Sequence, residues 1–240
     1  MIGYADVGDG SSDGRILWLD VRAQGDAVPA LLDFVQQRAR EKAAPEARMK
    51  VWAPEANAEW RALLEARGFH LEHYSFRMWI DLHGRLPAPE WPDGIAVRTF
   101  DRNADERRVY ETHQEAFSEE RDFAPYPFDD WVHWSYREPF DPGVLWLAEN
   151  DEELVGIALC RTERGGDESV GWISALGVRK PWRGRGLGRA LLLHAFREFY
   201  TKGKRRVGLG VDGENATAIR LYERAGMKPE ETIVWYEQAI

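Results

Sequence analysis

The stretch from Ser169 to Tyr200 constrains the fold more than any other part of the chain. Ser174-Ala175-Leu176-Gly177-Val178 ends a run of strand character, and Leu187, Leu191, Ala195 and Phe199 recur at the spacing of an amphipathic helix over Leu187 to Tyr200. Between them stands Arg179-Lys180-Pro181-Trp182-Arg183-Gly184-Arg185-Gly186-Leu187-Gly188-Arg189. Three alternating glycines let the backbone turn tightly and keep side chains out of a ligand's way. The amides of Arg185 to Arg189 would point outward from the start of the helix. Such N–H groups have no partner inside the helix and, with the dipole, make an anion site.

Charge points the same way. The chain carries a net −9, which disfavours nucleic acid and anionic membranes as partners. Yet Arg179, Lys180, Arg183, Arg185 and Arg189 form a basic island with no acidic residue among them. A solvated cationic loop and a bound anion both fit that island on charge alone. Two phosphate loops are excluded by spacing. The dinucleotide pattern G-x-G-x-x-G fails because Arg189 stands where its third glycine belongs, and no Gly-Lys-Ser/Thr occurs for a P-loop. A nucleotide-dependent kinase or dehydrogenase is thereby disfavoured.

Length allows one large domain or two small ones, and 11 tryptophans supply apolar area for two cores. His83 to Gly94 holds three prolines and two glycines, which breaks any helix or central strand. We therefore expect an N-terminal unit over residues 1–84, a linker over 85–94 and a second unit over 95–240. Asn57 to Phe69 and Asn215 to Met227 match without a gap in Asn-Ala, Leu, Glu, Gly and a final hydrophobe. Each reads as an Asn-capped helix stopped by Gly, followed by a strand (His73–Leu82 and Thr232–Glu237). This predicts duplication. Strands are expected at Arg15–Val21, Met49–Ala53, Tyr74–Leu82, Ile95–Phe100, Val144–Glu149, Glu153–Thr162, Ser169–Val178, Arg206–Val211 and Ile233–Glu237. Helices are expected at Pro29–Lys42, Ala58–Ala66, Asp105–Phe117, Phe128–Arg137, Leu187–Tyr200 and Ala216–Ala225. The result is an α/β fold, a mixed sheet with helices on its faces.

Val178 through Gly188, with Arg183, Gly186 and Gly188 at R-x-x-G-x-G spacing, resembles motif A of the GNAT superfamily of N-acetyltransferases. The resemblance covers residues 95–240 and implies the GNAT acyl-CoA N-acyltransferase fold with acetyl-CoA as cosubstrate. It implies that pyrophosphate sits on the amides of Arg183, Gly184, Arg185, Gly186, Leu187, Gly188 and Arg189. It also implies that Leu176, Gly177 and Val178 pair with the pantetheine arm, the Val178 amide polarising the thioester carbonyl. Asn215 would touch the pantetheine region, and Tyr222 would protonate the departing thiolate. A phenol, with a reference pKa of about 10, holds its proton at neutral pH and can give it. Tyr222 also shares a helix face with Ala218, Leu221 and Ala225, so a core aromatic is the competing reading. The N-terminal copy has Arg22 to Pro29 in place of the glycine loop and Leu64 in place of Tyr222. It therefore reads as a degenerate partial copy without a cofactor site, in a layout similar to tandem members of the superfamily.

The acceptor is expected to be a small-molecule or peptide amine, and the enzyme a monomer or homodimer. Val170 to Ser174 holds no carboxylate to act as base. Glu119, Glu120 and Asp122 are candidates, each also readable as a solvated loop charge, and deprotonation relayed by water is equally open. The missing base leaves a non-catalytic acyl-CoA or amine-sensing module as the alternative function. Phe123 to Phe128 and Trp131 to Trp134 could line an acceptor pocket or fill the core. His70 and His73 lack further ligands for a metal site. Cys160, the one cysteine, reads as a buried inert thiol, and with no disulfide, no 18-residue apolar run and no basic-then-apolar leader the expected location is cytoplasmic.

Overall fold

Residues 3–11, 13–23, 25–138 and 140–240 are described by the structure, a computed structural model. The first part of the chain supplies β1 (Gly3–Asp9), β2 (Ile16–Ala23), α1 (Ala27–Lys42), β3 (Arg48–Pro54), α2 (Ala58–Ala66) and β4 (His70–Asp81). After the proline-bearing coil come β5 (Ile95–Thr99), α3 (Arg102–Phe117), α4 (Phe128–Ser135), β6 (Leu145–Asn150), β7 (Glu153–Arg161) and β8 (Val170–Val178). Then follow α5 (Leu187–Thr201), β9 (Arg206–Asp212), α6 (Ala216–Arg224) and β10 (Lys228–Ala239). The strands form one mixed sheet of ten in the order β1-β2-β3-β10-β4-β9-β8-β7-β6-β5.

That order contains an exchange. β2–β3 and β8–β9 are the two parallel pairs, and each should be closed by the antiparallel strand that follows its own helix. Instead β10 lies on β3, with Ile233 opposite Pro54, and β4 lies on β9, with Ser75 opposite Asp212. The two exchanged strands then pair with each other. The cores follow suit. Val234 and Tyr236 of β10 pack with Leu17, Leu32, Val51 and Leu64, whereas Met78 of β4 joins the core of β6–β9 and α5. The fully buried Tyr236 fixes the arrangement by donating from its hydroxyl to Glu65 Oε1 at 2.8 Å and accepting from Arg61 Nε at 3.2 Å.

Local sequence explains most elements. Asn57 and Asn215 cap α2 and α6, their Oδ1 atoms accepting from Trp60 N and Ala218 N. Gly68 and Gly226, at φ +85° and +97°, end the same two helices. α3 begins at Arg102, three residues before the predicted start, because Asp101 caps it through Asn103 N. Asp105 then anchors it. Its buried carboxylate takes two bonds from Arg98 of β5, at 2.5 and 2.7 Å, and one from Arg108. β1 was not legible in the sequence, since only Val7 of Gly3–Asp9 is buried. It exists because it pairs with β2 from Leu17 to Ala23, as an edge strand with one wet face. The coil between β4 and β5 lies along α5, where Arg197 donates to Leu86 O and Trp91 packs on His194. Among the described residues no helix is long and apolar enough to cross a membrane.

Candidate active site

β8 and β9 pair only from Val170–Ile173 to Arg206–Leu209. Ser174 is then an extra residue, because Cys160 pairs Ile173 while its neighbour Leu159 pairs Ala175. Past that bulge β8 stays with β7 as far as Val178 opposite Gly156, and β9 stays with β4 as far as Asp212. The sheet therefore opens into a cleft at its centre. Ser174 and Gly210 are exposed there although both lie on interior strands. Arg179 N donates to Val155 O, on the β7 side. By strand alternation Leu176 and Val178 turn their N–H and C=O groups toward the cleft. Gly177 faces the other way. A Cβ there would meet Ala116 and Phe117 at 3.0 Å, so its glycine serves the packing of α3 on β8.

The glycine loop sits at the mouth of this cleft. Lys180–Trp182 makes a single 3-10 turn, and Gly184 and Gly186 take φ of +77° and +88°. Gly186 is the N-cap of α5, with no side-chain cap and no acid in the first turn. No amide from Gly184 to Arg189 has a backbone acceptor among the described residues; the first that does is Ala190, to Gly186 O at 3.0 Å. Open space lies where side chains at Gly184 and Gly186 would start, and Gly188 has only ordinary contacts with Leu221 and Val178. Leu187 points into the core.

The basic island divides into two sets. Arg183 ties the loop down: Nε donates to Val178 O at 3.1 Å, Nη2 to Ala116 O at 2.8 Å, and Nη1 meets Glu119 at 2.6 Å. Lys180 also reaches Glu119, and Arg179 reaches Glu115 and Glu153. Arg185, stacked 4.8 Å over Trp182, and Arg189 have no carboxylate partner among the described residues. Side-chain attraction for an anion thus rests on Arg185 and Arg189, and Arg183 acts on loop shape. Asn215 likewise uses its oxygen on the α6 cap, and its amide N–H groups have no partner among the described residues.

Tyr222 is buried to 8% exposure, and its hydroxyl has no hydrogen-bond partner among the described residues. Burial, with the nearby charge of Glu120, pushes the phenol up to about 12. The three loop acids are placed very differently. Glu119 is paired with Arg183 and Lys180, which hold it below the usual carboxylate range. Asp122, at φ +53°, is bound by Arg48 at 3.0 Å and by Lys50. Glu120 alone has neither ion pair nor hydrogen bond from its side chain among the described residues, though Arg121 beside it pairs with Asp212 and Glu214. It is open to water but crowded by protein, and that crowding, then the charge of Asp212, raises its carboxyl.

The other candidates fall into the packing. Trp131 is in the core, touching Tyr110, His113 and Tyr136, and the Tyr126 hydroxyl donates to Gly10 O. Trp134 is half exposed. Cys160 is buried, which pushes its thiol up. His73 lies between Glu72 and Asp212 and stacks on Trp235; among the described residues no group of His, Cys, Asp and Glu is placed to hold a metal. Ser174, Gly210 and Asp212 lie along the cleft, yet no local pattern marks them, because only the opening of the sheet brings them together.

A mixed sheet that opens between two parallel strands, with an uncapped helix N-terminus at the mouth, defines an acyl-CoA N-acyltransferase architecture. The model of the acetyltransferase (GNAT) family matches residues 106–227, and the chain belongs to that family. Curated relatives include the mycothiol acetyltransferase of Thermobispora bispora, 33% identical over 68% of this chain, and that of Cellulomonas flavigena, 31% identical over 98%. The chain spans 56% of the length of the first and 70% of the second. Among solved structures, a GCN5-related N-acetyltransferase from Sphaerobacter thermophilus is 32% identical at TM-score 0.80, over 99% of this chain and 76% of that one. A tandem GNAT protein from the clavulanic acid biosynthesis pathway shares the fold at TM-score 0.72 and 17% identity, over 99% of this chain and 79% of that one.

Proposed function

We propose that the protein transfers the acetyl group of acetyl-CoA to an amine by direct attack, with Tyr222 as the acid and Glu120 as the base. The observation that carries this reading is the run of amides from Gly184 to Arg189, without a backbone acceptor among the described residues, at the mouth of a cleft edged by Leu176 and Val178. Diphosphate on those amides places the pantetheine arm along the free edge of β8, where it can complete the interrupted ladder. The acceptor nitrogen attacks the thioester carbon, a C–N bond forms, and the carbonyl oxygen takes up negative charge facing a main-chain N–H such as that of Val178. Collapse breaks the C–S bond, and the thiolate takes the Tyr222 proton. Burial that raises the phenol raises a thiol lodged beside it too, so their separation stays near that of their reference values, about 10 and about 8.5. Glu120, directly or through water, takes the proton that the acceptor ammonium must lose. The acid and base sit close enough for the charge of one to act on the other. We further propose that residues 95–240 carry the catalytic unit, its sheet completed by β4 in exchange for β10, and that residues 1–84 are a degenerate copy without a cofactor site.

Calorimetric titration with CoA, then thiol release across a panel of amines, tests this. Wild type is expected to bind CoA; Gly186→Val forces a branched side chain into φ +88° and into the phosphate space, and is expected to weaken binding by about tenfold or more. No heat with CoA, or unchanged affinity in Gly186→Val, would overturn the cofactor site. Binding without amine-dependent release would leave a sensing module.

Glu120→Gln is expected to lower kcat/KM about 10²-fold. In wild type kcat/KM should fall as pH falls through the Glu120 value, which lies above the ordinary 4.5 because the group is crowded. The variant should lose that acidic limb. A pH profile of the same shape in both proteins would remove Glu120 from the role.

A further inference from the structure

A cavity of about 1370 Å³ lies between the two halves, bounded by the ends of β2 and β3 on one side and the β7–β8 turn on the other. It meets the active-site cleft at Ser174, the bulged residue where β8 leaves β9. Arginines line it. Arg77 of β4 stacks 5.0 Å over Trp52, and Arg164 lies 4.0 Å over Trp172. Arg137 joins them, its carbonyl held by Arg161 Nη1 at 3.1 Å. Arg161 also donates to the carbonyls of Trp134 and Ser135, which fixes the segment that carries Arg137.

Arg77 meets Glu231 at 2.8 Å, but Arg137 and Arg164 have no carboxylate within ion-pair distance among the described residues. Burial and the neighbouring Arg77 lower the Arg164 guanidinium, and burial and Arg137 lower that of Arg161. Glu231 acts against this shift on Arg164, and Glu163 acts against it on Arg161. Of the acids that line the cavity, Asp26 and Glu59 are on the opposite wall at the starts of α1 and α2, whereas Glu138 and Glu163 lie on the arginine side, with Glu138 Oε2 accepting from Phe140 N. A guanidinium held over an indole can still offer N–H donors for planar, bidentate recognition of carboxylate or phosphate.

We propose that the acceptor amine bears an anionic group, carboxylate or phosphate, held by Arg77, Arg137 and Arg164 in this cavity while its amine reaches the cleft past Ser174. This rests on the acetyl-transfer reading above and specifies its acceptor class. A carboxylate or phosphate would answer Arg137 and Arg164, which have no ion pair among the described residues, and would add to Arg77 beside its Glu231.

The test compares matched acceptors, tyrosine against tyramine and glucosamine 6-phosphate against glucosamine, by thiol release at saturating acetyl-CoA. At least one anionic member is expected to exceed its neutral partner in kcat/KM by about tenfold or more. Which pair shows the gain tells carboxylate from phosphate. In Arg164→Gln and Arg77→Gln that ratio should collapse toward one, with the CoA Kd reporting that each variant is folded. Neutral members used as well as anionic ones, or ratios that survive both substitutions, would overturn the anionic acceptor while leaving acetyl transfer standing. If no acceptor of either pair is turned over, titration with inorganic phosphate at saturating CoA decides. Phosphate that does not bind, or binds equally well to the two variants, overturns the proposal.

Discussion

Replacing Tyr222 by phenylalanine is expected to lower kcat by about 10²- to 10³-fold at saturating acetyl-CoA while the CoA Kd stays within about twofold. The structure makes this a clean substitution. The ring is packed in the core with Leu209, Leu191 and Met227, and phenylalanine keeps that packing. The hydroxyl has no protein partner among the described residues, so its loss leaves no buried donor or acceptor orphaned and should change stability little. In the proposed mechanism what is lost is the proton for the departing sulfur. The expected pattern, a fall in kcat without weaker cofactor binding, belongs to a group that acts only in the transition state. Equal turnover in both proteins, with the chemical step shown to limit the rate, would return Tyr222 to the core. A comparison is built into the chain: Leu64 stands at the matching place in the first half, fully buried and with no polar atom.

The parts of the site that local chemistry dictates were readable without a structure. Alternating glycines before an amphipathic helix fix a turn that exposes amides, and Gly184 and Gly186 do take the left-handed backbone that only glycine adopts freely. Asn57 and Asn215 announce helix starts because their short side chains reach the third amide onward. The strand exchange could not be read in this way. β4 and β10 follow similar helices and are similarly patterned, and which parallel pair each one joins is decided by tertiary packing such as that of Tyr236. The roles within the basic island were equally hidden. Arg183 and Arg189 look alike in sequence, yet only Arg183 lies within reach of Val178 O and Ala116 O. Glu120 could be told from Glu119 and Asp122 only by seeing which cations each one meets.

The exchange also bears on the acceptor loop. Because β10 draws β3 into the central sheet, Arg48 and Lys50 of the first half lie under the loop after α3, and both grip Asp122. Lys50 has a side chain only 1% exposed, and it meets Glu72 at 2.5 Å as well as Asp122. Lys50→Met keeps most of the volume and removes the charge. It leaves two carboxylates, 10% and 21% exposed, without their shared cation. Breaking a buried pair from one side costs about 3–5 kcal/mol, and for a chain of this size the melting temperature should fall by about 10 °C.

The pH dependence of that loss has a definite sign. Burial pushes the Asp122 carboxyl up, but Lys50 and Arg48 outweigh it and leave it below its ordinary value. In wild type its contribution is complete above the unfolded value, about 3.9, and is lost as pH falls through the lowered folded one. With Lys50 gone only Arg48 opposes burial, so the carboxyl rises and its protonation relieves the variant as pH falls. The gap in unfolding free energy between the two proteins should therefore narrow between pH 7 and pH 4, as urea titrations at both values would measure. Asp122 is two residues from Glu120 and is held at φ +53°, a backbone state that needs holding. Its release should raise the amine KM while the CoA Kd stays unchanged, since the glycine loop is anchored separately through Arg183. A gap that does not vary with pH, or equal losses in amine and CoA binding, would show that the first half does not hold the acceptor loop through Lys50.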